Sequence, residues 1–201
     1  MHMNQNRESY DQISGTWDAW RRQRPVNTCI REVAGKIRPG GRVLDIGCGA
    51  GQPIASFLVH EGFAVTGIDL SPRMIEKAKG LNLPGAEFLC VDFLDYETEQ
   101  TFDGLIAFDS LWHIAHKDQP AIYPRLAKLA APGCRLLFTA GRTEGEVQGE
   151  MFGQPFFYGA LEADTIRALL EENGFIIEQF LTDYAEETTG TRDLLVVARK
   201  K

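Results

Sequence analysis

The residues best equipped for chemistry start in one short tract. Val43-Leu44-Asp45-Ile46-Gly47-Cys48-Gly49-Ala50-Gly51-Gln52-Pro53 runs from apolar residues through a carboxylate into three alternating glycines. A strand that breaks into such a turn and then into a helix lets a ligand come up against the backbone, because no Cβ stands in the way. The dinucleotide fingerprint needs glycine or alanine where this chain has Gln52, which disfavours NAD and FAD. Asp69 closes a second apolar run about 18 residues beyond Gly51. From that place an acid in a doubly wound fold hydrogen-bonds ribose hydroxyls. Asp92 closes a third run, and Asp109 follows a fourth. Four residues beyond Asp109 stands His113, whose imidazole has an ordinary pKa of about 6.5, suited to proton transfer at neutral pH. The alternative for His113 is a ring that bonds locally and packs over the ligand. No group of His, Cys and carboxylate has metal-ligand spacing, so no metal is expected.

An alternation of strands and helices must position these groups. Short apolar runs predict strands over 42–47, 63–69, 86–91, 102–108 and 134–140. Helices are expected over 53–62, from Ser71-Pro72 to about Leu81, over 119–131 and over 161–173. Two last strands, 175–182 and 192–199, are joined by a short polar link and should pair as an antiparallel hairpin. The expected fold is α/β: a Rossmann-like three-layer αβα sandwich on a seven-stranded, mainly parallel sheet with a C-terminal antiparallel β-hairpin. Residues 1–39 and 141–160 lie outside this pattern.

Composition bounds the rest. The chain has 201 residues, 44% hydrophobic and 24% charged, ordinary for one soluble globular domain spanning 1–201. Its net charge of −7 argues against nucleic acid and anionic membranes as partners. No apolar stretch reaches the roughly 18 to 20 residues that span a bilayer, and the polar start MHMNQNRESYDQ has no signal-peptide core. Cys29, Cys48, Cys90 and Cys134 are widely spaced, as expected of reduced thiols in a cytoplasmic protein.

At these residues the chain resembles the class I S-adenosylmethionine-dependent methyltransferases. Val43 to Gly51 looks like their first motif, Gly67-Ile68-Asp69-Leu70-Ser71-Pro72-Arg73-Met74 like their second, and Val91-Asp92-Phe93 and Phe102 to Asp109 like the next two. Pro132-Gly133-Cys134 matches the turn into strand five. The resemblance implies S-adenosylmethionine as cofactor and S-adenosylhomocysteine as product. Gly47, Cys48, Gly49 and Gly51 would lie along the methionine part, with Asp45 beneath the loop or reaching the ammonium through water. Asp69 would take the ribose hydroxyls, and Leu70 and Met74 would flank the adenine. Asp92 and the backbone N–H of Phe93 would meet the adenine's polar edge, while Phe108, Asp109 and Ser110 would line the sulfonium end.

The acceptor implied is a small molecule methylated at O, N or S. The Asn/Asp-Pro-Pro-Tyr/Phe tetrad common in enzymes that methylate nucleic-acid or glutamine amino groups is absent; the chain reads Asp109-Ser110-Leu111-Trp112-His113 there. His113 is the candidate base, and Tyr10, Trp17, Trp112 and Tyr158 are candidate substrate contacts. Tyr10 and Trp17 share a face if 1–39 is a helical lid, and core packing is the alternative. Arg21, Arg22 and Arg24 either form a solvated face or meet a carboxylate of cofactor or substrate. Residues 141–160 read either as a substrate-side loop or lid or as an exposed β-hairpin with an acidic rim. A monomer or homodimer is expected. Three other readings stay open: a same-fold enzyme with a nucleoside ligand and other chemistry such as aminopropyl transfer, a non-catalytic cofactor-binding module, and a protein or nucleic-acid methyltransferase.

Overall fold

The computed structural model describes residues 2–201; Met1, the first residue of the 1–39 segment, lies outside the described residues. Five strands, β1 (Arg42–Ile46), β2 (Ala64–Asp69), β3 (Ala86–Cys90), β4 (Phe102–Ala107) and β5 (Ala130–Ala140), lie parallel. After the short hairpin β6 (Gly145–Met151) and β7 (Gln154–Ala160), β8 (Phe175–Ala185) and β9 (Arg192–Lys200) complete the main sheet antiparallel. Its order is β3-β2-β1-β4-β5-β9-β8, which is the expected seven-stranded sheet with a C-terminal hairpin. Because β1 pairs with both β2 and β4, the chain reverses direction there. The helices after β1 and β4 therefore leave on opposite faces and open a crevice at the strands' carboxyl ends.

Helices cover both faces. Residues of α2 (Thr28–Ala34), α3 (Ile54–His60) and α4 (Pro72–Gly80) bury Ile30, Leu58 and Ile75 with Val43, Ile106 and Leu137 of the sheet. On the other face α5 (Ile122–Leu129) and α6 (Ala163–Glu172) bury Leu126 and Ile166 with Leu44, Phe102 and Phe138. The start of α4 follows its signal: Ser71 caps it, accepting from Met74 N at 3.1 Å, with Pro72 in the first turn.

Three boundaries differ from expectation, the simplest being β8, which runs on to Ala185 rather than ending at 182. The segment 119–131 is not one helix. A 3-10 turn, His116–Ala121, precedes α5, because Pro120 and Pro124 lack an N–H and fit only in a helix's first turn. Strand β5 begins at Ala130 rather than Cys134; Pro132-Gly133 is absorbed in a register shift against β4, with Gly133 at φ +81°. Residues 141–160 form a β-hairpin rather than an irregular loop. Its turn, Phe152-Gly153, holds φ values of +50° and +75°, the mirror-type turn that suits strand twist.

The N-terminal segment is helical. Helix α1 (His2–Arg21) lies across β7. Asn6 does most to fix it: Oδ1 accepts from Phe157 N and Nδ2 donates to Phe157 O, both at 2.8 Å. One amide side chain thus replaces a strand neighbour. Ser9 Oγ adds a bond to Pro155 O at 2.6 Å, and Asp11 Oδ1 accepts from Ser71 Oγ at 2.6 Å. Asn6→Ala removes both of these bonds to the Phe157 backbone from a buried place, so we expect a loss of about 1–2 kcal/mol in urea unfolding and faster amide exchange in α1 and β7. An unchanged midpoint and exchange pattern would refute this docking role.

Candidate active site

The crevice between β1 and β4 is a cleft whose wall gathers most of the candidate residues. Asp45, Gly47, Cys48, Gly49, Asp69, Leu70, Met74, Asp92, Phe93, Phe108, Asp109 and Ser110 all line it, together with Tyr10, Trp17 and Arg21 of α1. Gly51 is the exception. A Cβ there would meet Leu81 Cδ1 at 3.0 Å and Phe88 Cζ at 3.2 Å, so its role is to let α4 and β3 close behind the loop. Gly47 is required twice over: its φ is +77°, and a Cβ would stand 2.3 Å from Ser110 Cβ.

The glycine loop spends its N–H groups internally. Gly47 N and Cys48 N donate to Ile68 O at 2.8 and 3.0 Å, and Gly49 N donates to Asp69 Oδ2 at 2.9 Å. Such a loop is no anion nest and offers nothing to a pyrophosphate. Its polar surroundings are acidic instead. Asp69 Oδ1 accepts from Ser71 N at 2.8 Å, and Asp92 accepts from Leu94 N at 2.7 Å. Each carboxylate keeps lone pairs for a ligand. Asp45 is buried, and its Oδ2 has no partner. Burial, reinforced by the Asp69 charge, pushes Asp45 up to about 7; burial likewise raises Asp69 to about 6 and Asp109 to about 7. Arg21 is the counterweight. Burial pulls its guanidinium down, while Asp109, Glu186 and Asp45 favour its charge. Arg22 instead pairs with Asp18, and Arg24 stacks 3.5 Å from the Trp20 ring centre. The three arginines thus divide between the two readings.

His113 sits on a 3-10 turn, Leu111–His113, with both ring nitrogens engaged. Nδ1 faces Phe157 O at 3.1 Å and Nε2 faces Tyr10 O–H at 2.9 Å. Asn6 Nδ2 also lies 3.0 Å from Nδ1; the carbonyl pairs with a protonated Nδ1 and the amide N–H with an unprotonated one, so the direction of the Tyr10 bond follows the ring's tautomer. Burial lowers His113 to about 4, leaving the ring neutral near pH 7.

Beyond Tyr10, Trp17, Asp109 and His113, which border both spaces, a second chamber of about 620 Å³ opens. Trp20, Trp112, Phe152 and Tyr158 wall it, so all four candidate substrate contacts face it. The hairpin is thus a chamber wall rather than a detached rim. Sequence reading missed Asn6, Phe152, Glu186 and Asp193. Asp193 only precedes the apolar run 194–198 of β9, beside Arg192, and Asn6 stands in a polar stretch, so neither carried a distinctive signal. Among the described residues no metal-holding group of His, Cys, Asp or Glu occurs, and no helix is long and apolar enough to cross a membrane. The four cysteines are free thiols.

Comparison with known proteins agrees with this geometry. A family model described as "Methyltransferase domain" matches residues 43–133. Phosphoethanolamine N-methyltransferase 3 of Arabidopsis thaliana is 39% identical over 110 residues, covering 51% of this chain and 21% of the relative. O-methyltransferase rstn1 of Aspergillus nomiae is 27% identical over 186 residues, covering 83% of this chain and 80% of the relative. The chain therefore spans about a fifth of the plant relative's length and most of the fungal one's. The crystal structure of N-methyltransferase NodS from Bradyrhizobium japonicum, in complex with S-adenosylhomocysteine, superposes with a TM-score of 0.75 at 20% identity, over 98% of each chain. The chain thus matches a methyltransferase domain over 43–133 and shares the Rossmann-like fold of solved methyltransferases.

Proposed function

We propose that the protein is a cytoplasmic enzyme, monomeric or homodimeric, that methylates an O, N or S atom of a small molecule by direct in-line displacement. One observation carries this: the acid-lined cleft and the aromatic chamber meet at Tyr10, Trp17, Asp109 and His113. The residues of the cleft fit S-adenosylmethionine. The partnerless Oδ2 of Asp45 calls for a donor, which the methionine ammonium offers, and Arg21 suits the methionine carboxylate. Asp69 would hold the ribose hydroxyls, Leu70, Met74 and Phe93 the adenine faces, and Asp92 its amino group. When bound, the sulfonium supplies an electrophilic methyl group. The protein's part is to orient an acceptor and exclude water, which can supply much of the rate. The net charge of −7 supports a small acceptor over a polyanion.

His113 keeps Nε2 on the Tyr10 hydroxyl and Nδ1 between Asn6 and Phe157, which supports a positioning role: it holds Tyr10 at the junction. The same carboxylates oppose folding when the cleft is free. Asp45 is raised above the ordinary carboxylate range, so its contribution is full at low pH and is lost as pH rises through about 7.

Two outcomes follow from this reading. Calorimetry should show binding of S-adenosylmethionine and S-adenosylhomocysteine, weakened by about 1–3 kcal/mol in Asp69→Ala; no binding of either by the folded wild type sinks the proposal. Asp45→Asn should match the wild-type melting temperature near pH 5 and exceed it near pH 8, by about 1–2 kcal/mol of stability, while binding the cofactor less tightly. A variant less stable than wild type near pH 8 would contradict the assigned charge burden.

A further inference from the structure

The chamber beyond the junction has its own chemistry. Its walls are indole and phenyl rings: Trp17 and Trp20 stack at 5.1 Å between centres, and Phe152 meets both edge-on at 6.4 and 6.3 Å. Three acids, Asp109, Glu186 and Asp193, stand among its polar groups. Asp193 on β9 is 6% exposed, and its Oδ2 has no hydrogen-bond partner while lining the chamber. Glu186 is buried and fully engaged: its oxygens accept from Thr188 Oγ1 at 2.9 and 2.8 Å and from Thr189 N at 2.6 Å, which with Asn27 holds it ionised at about 2. Asp109 stands at the mouth in a left-handed backbone conformation, φ +57°, with Oδ1 accepting from Thr139 Oγ1 at 3.2 Å. Among the described residues the cation of this wall is Arg142, which is exposed, pairs with Asp183 at 3.3 Å and partly offsets the burial that raises Asp193.

We propose that the methyl acceptor is a protonated amine carried on an aromatic body, its ring against Trp17, Trp20 and Trp112 and its ammonium between Asp109 and Asp193. This rests on the reading that the adjoining cleft holds S-adenosylmethionine. An ammonium supplies several donors and a positive charge, so it can satisfy both acids, whereas a phenol has one proton to give. Carboxylate or phosphate acceptors are repelled by the same wall, and indole faces favour a cation beside them. Asp109, at the junction, takes one proton from the ammonium. The freed nitrogen lone pair forms the new N–C bond as the C–S bond breaks with its electron pair on sulfur, so the positive charge passes from sulfonium to the methylated nitrogen. The groups that face Asp109 and set its proton affinity are Arg21 of α1, Thr139 of β5, Asp193 of β9 and Glu186.

The test uses the full chain saturated with S-adenosylhomocysteine, titrated by calorimetry with phenethylamine, 2-phenylethanol and 3-phenylpropanoate. We expect phenethylamine to bind about tenfold or more tighter than the alcohol, and the acid not measurably. Asp193→Asn should erase that preference while leaving S-adenosylhomocysteine affinity unchanged. Asp109→Asn should lose methyl transfer to phenethylamine near neutrality and recover it at alkaline pH, where the amine enters already deprotonated. Equal affinity across the three compounds, a preference for alcohol or acid, or an Asp109→Asn profile parallel to wild type overturns the proposal while cofactor binding stands. Failure of S-adenosylhomocysteine to bind overturns the cleft reading and this inference with it. Should Asp193→Asn not fold, the wild-type series alone decides.

Discussion

Everything in this molecule is arranged around acids that the fold brings together and keeps from water. Parallel strands deliver their carboxyl ends to one edge, and the β1–β4 reversal leaves that edge uncovered by helices. Asp45, Asp69 and Asp109 arrive there together, and burial raises all three. Arg21, a buried cation on α1, relieves part of this charge. It cannot serve every acid, and Asp45 keeps a buried oxygen without a partner. An edge of this kind is completed by a ligand with donors and positive charge. The glycine loop narrows the choice further. Its N–H groups are bonded to Ile68 O and Asp69, so the loop accommodates shape and not phosphate.

The roof over this edge comes from two segments far apart in sequence. Asn6 joins α1 to the backbone of Phe157, and Asp11 joins α1 to the start of α4 at Ser71. Tyr10 is then held between His113 and Phe156, at ring-centre distances of 5.3 and 4.8 Å. The hairpin and the helix therefore depend on each other: the helix seats on β7, and the hairpin's Phe152 packs against Trp17 and Trp20. Cleft and chamber share these residues, so a change in the seating of α1 is felt in both.

The sheet was legible because its strands are short apolar runs separated by turn residues, and β2 closes on Asp69. Local steric rules also placed Ser71 at a helix start. Where local rules conflict, legibility failed: Pro120 and Pro124 divide the expected helix, and a register shift carries Pro132-Gly133 into β5. In the cleft, every candidate but Gly51 reached the wall, because positions after parallel strands are fixed by topology. The chamber was less legible. Asn6 acts by satisfying a backbone N–H and C=O 151 residues away, and no property of its neighbours in sequence reports that. Asp193 stands at the start of β9 beside Arg192, a place where a solvated charge is ordinary, so only its burial in the fold sets it apart.

This division explains why similarity to known methyltransferases stops short of an acceptor. The matched region, 43–133, contains the glycine loop, the acids of the cleft, Trp112 and His113. Most of the chamber lies outside it: Tyr10, Trp17 and Trp20 precede it, and Phe152, Tyr158, Glu186 and Asp193 follow. The relatives it matches carry N-methyltransferase and O-methyltransferase names alike. Around the matched region the N-terminal helix and the C-terminal strands bring indole faces and an unpartnered carboxylate to the place where the cleft opens.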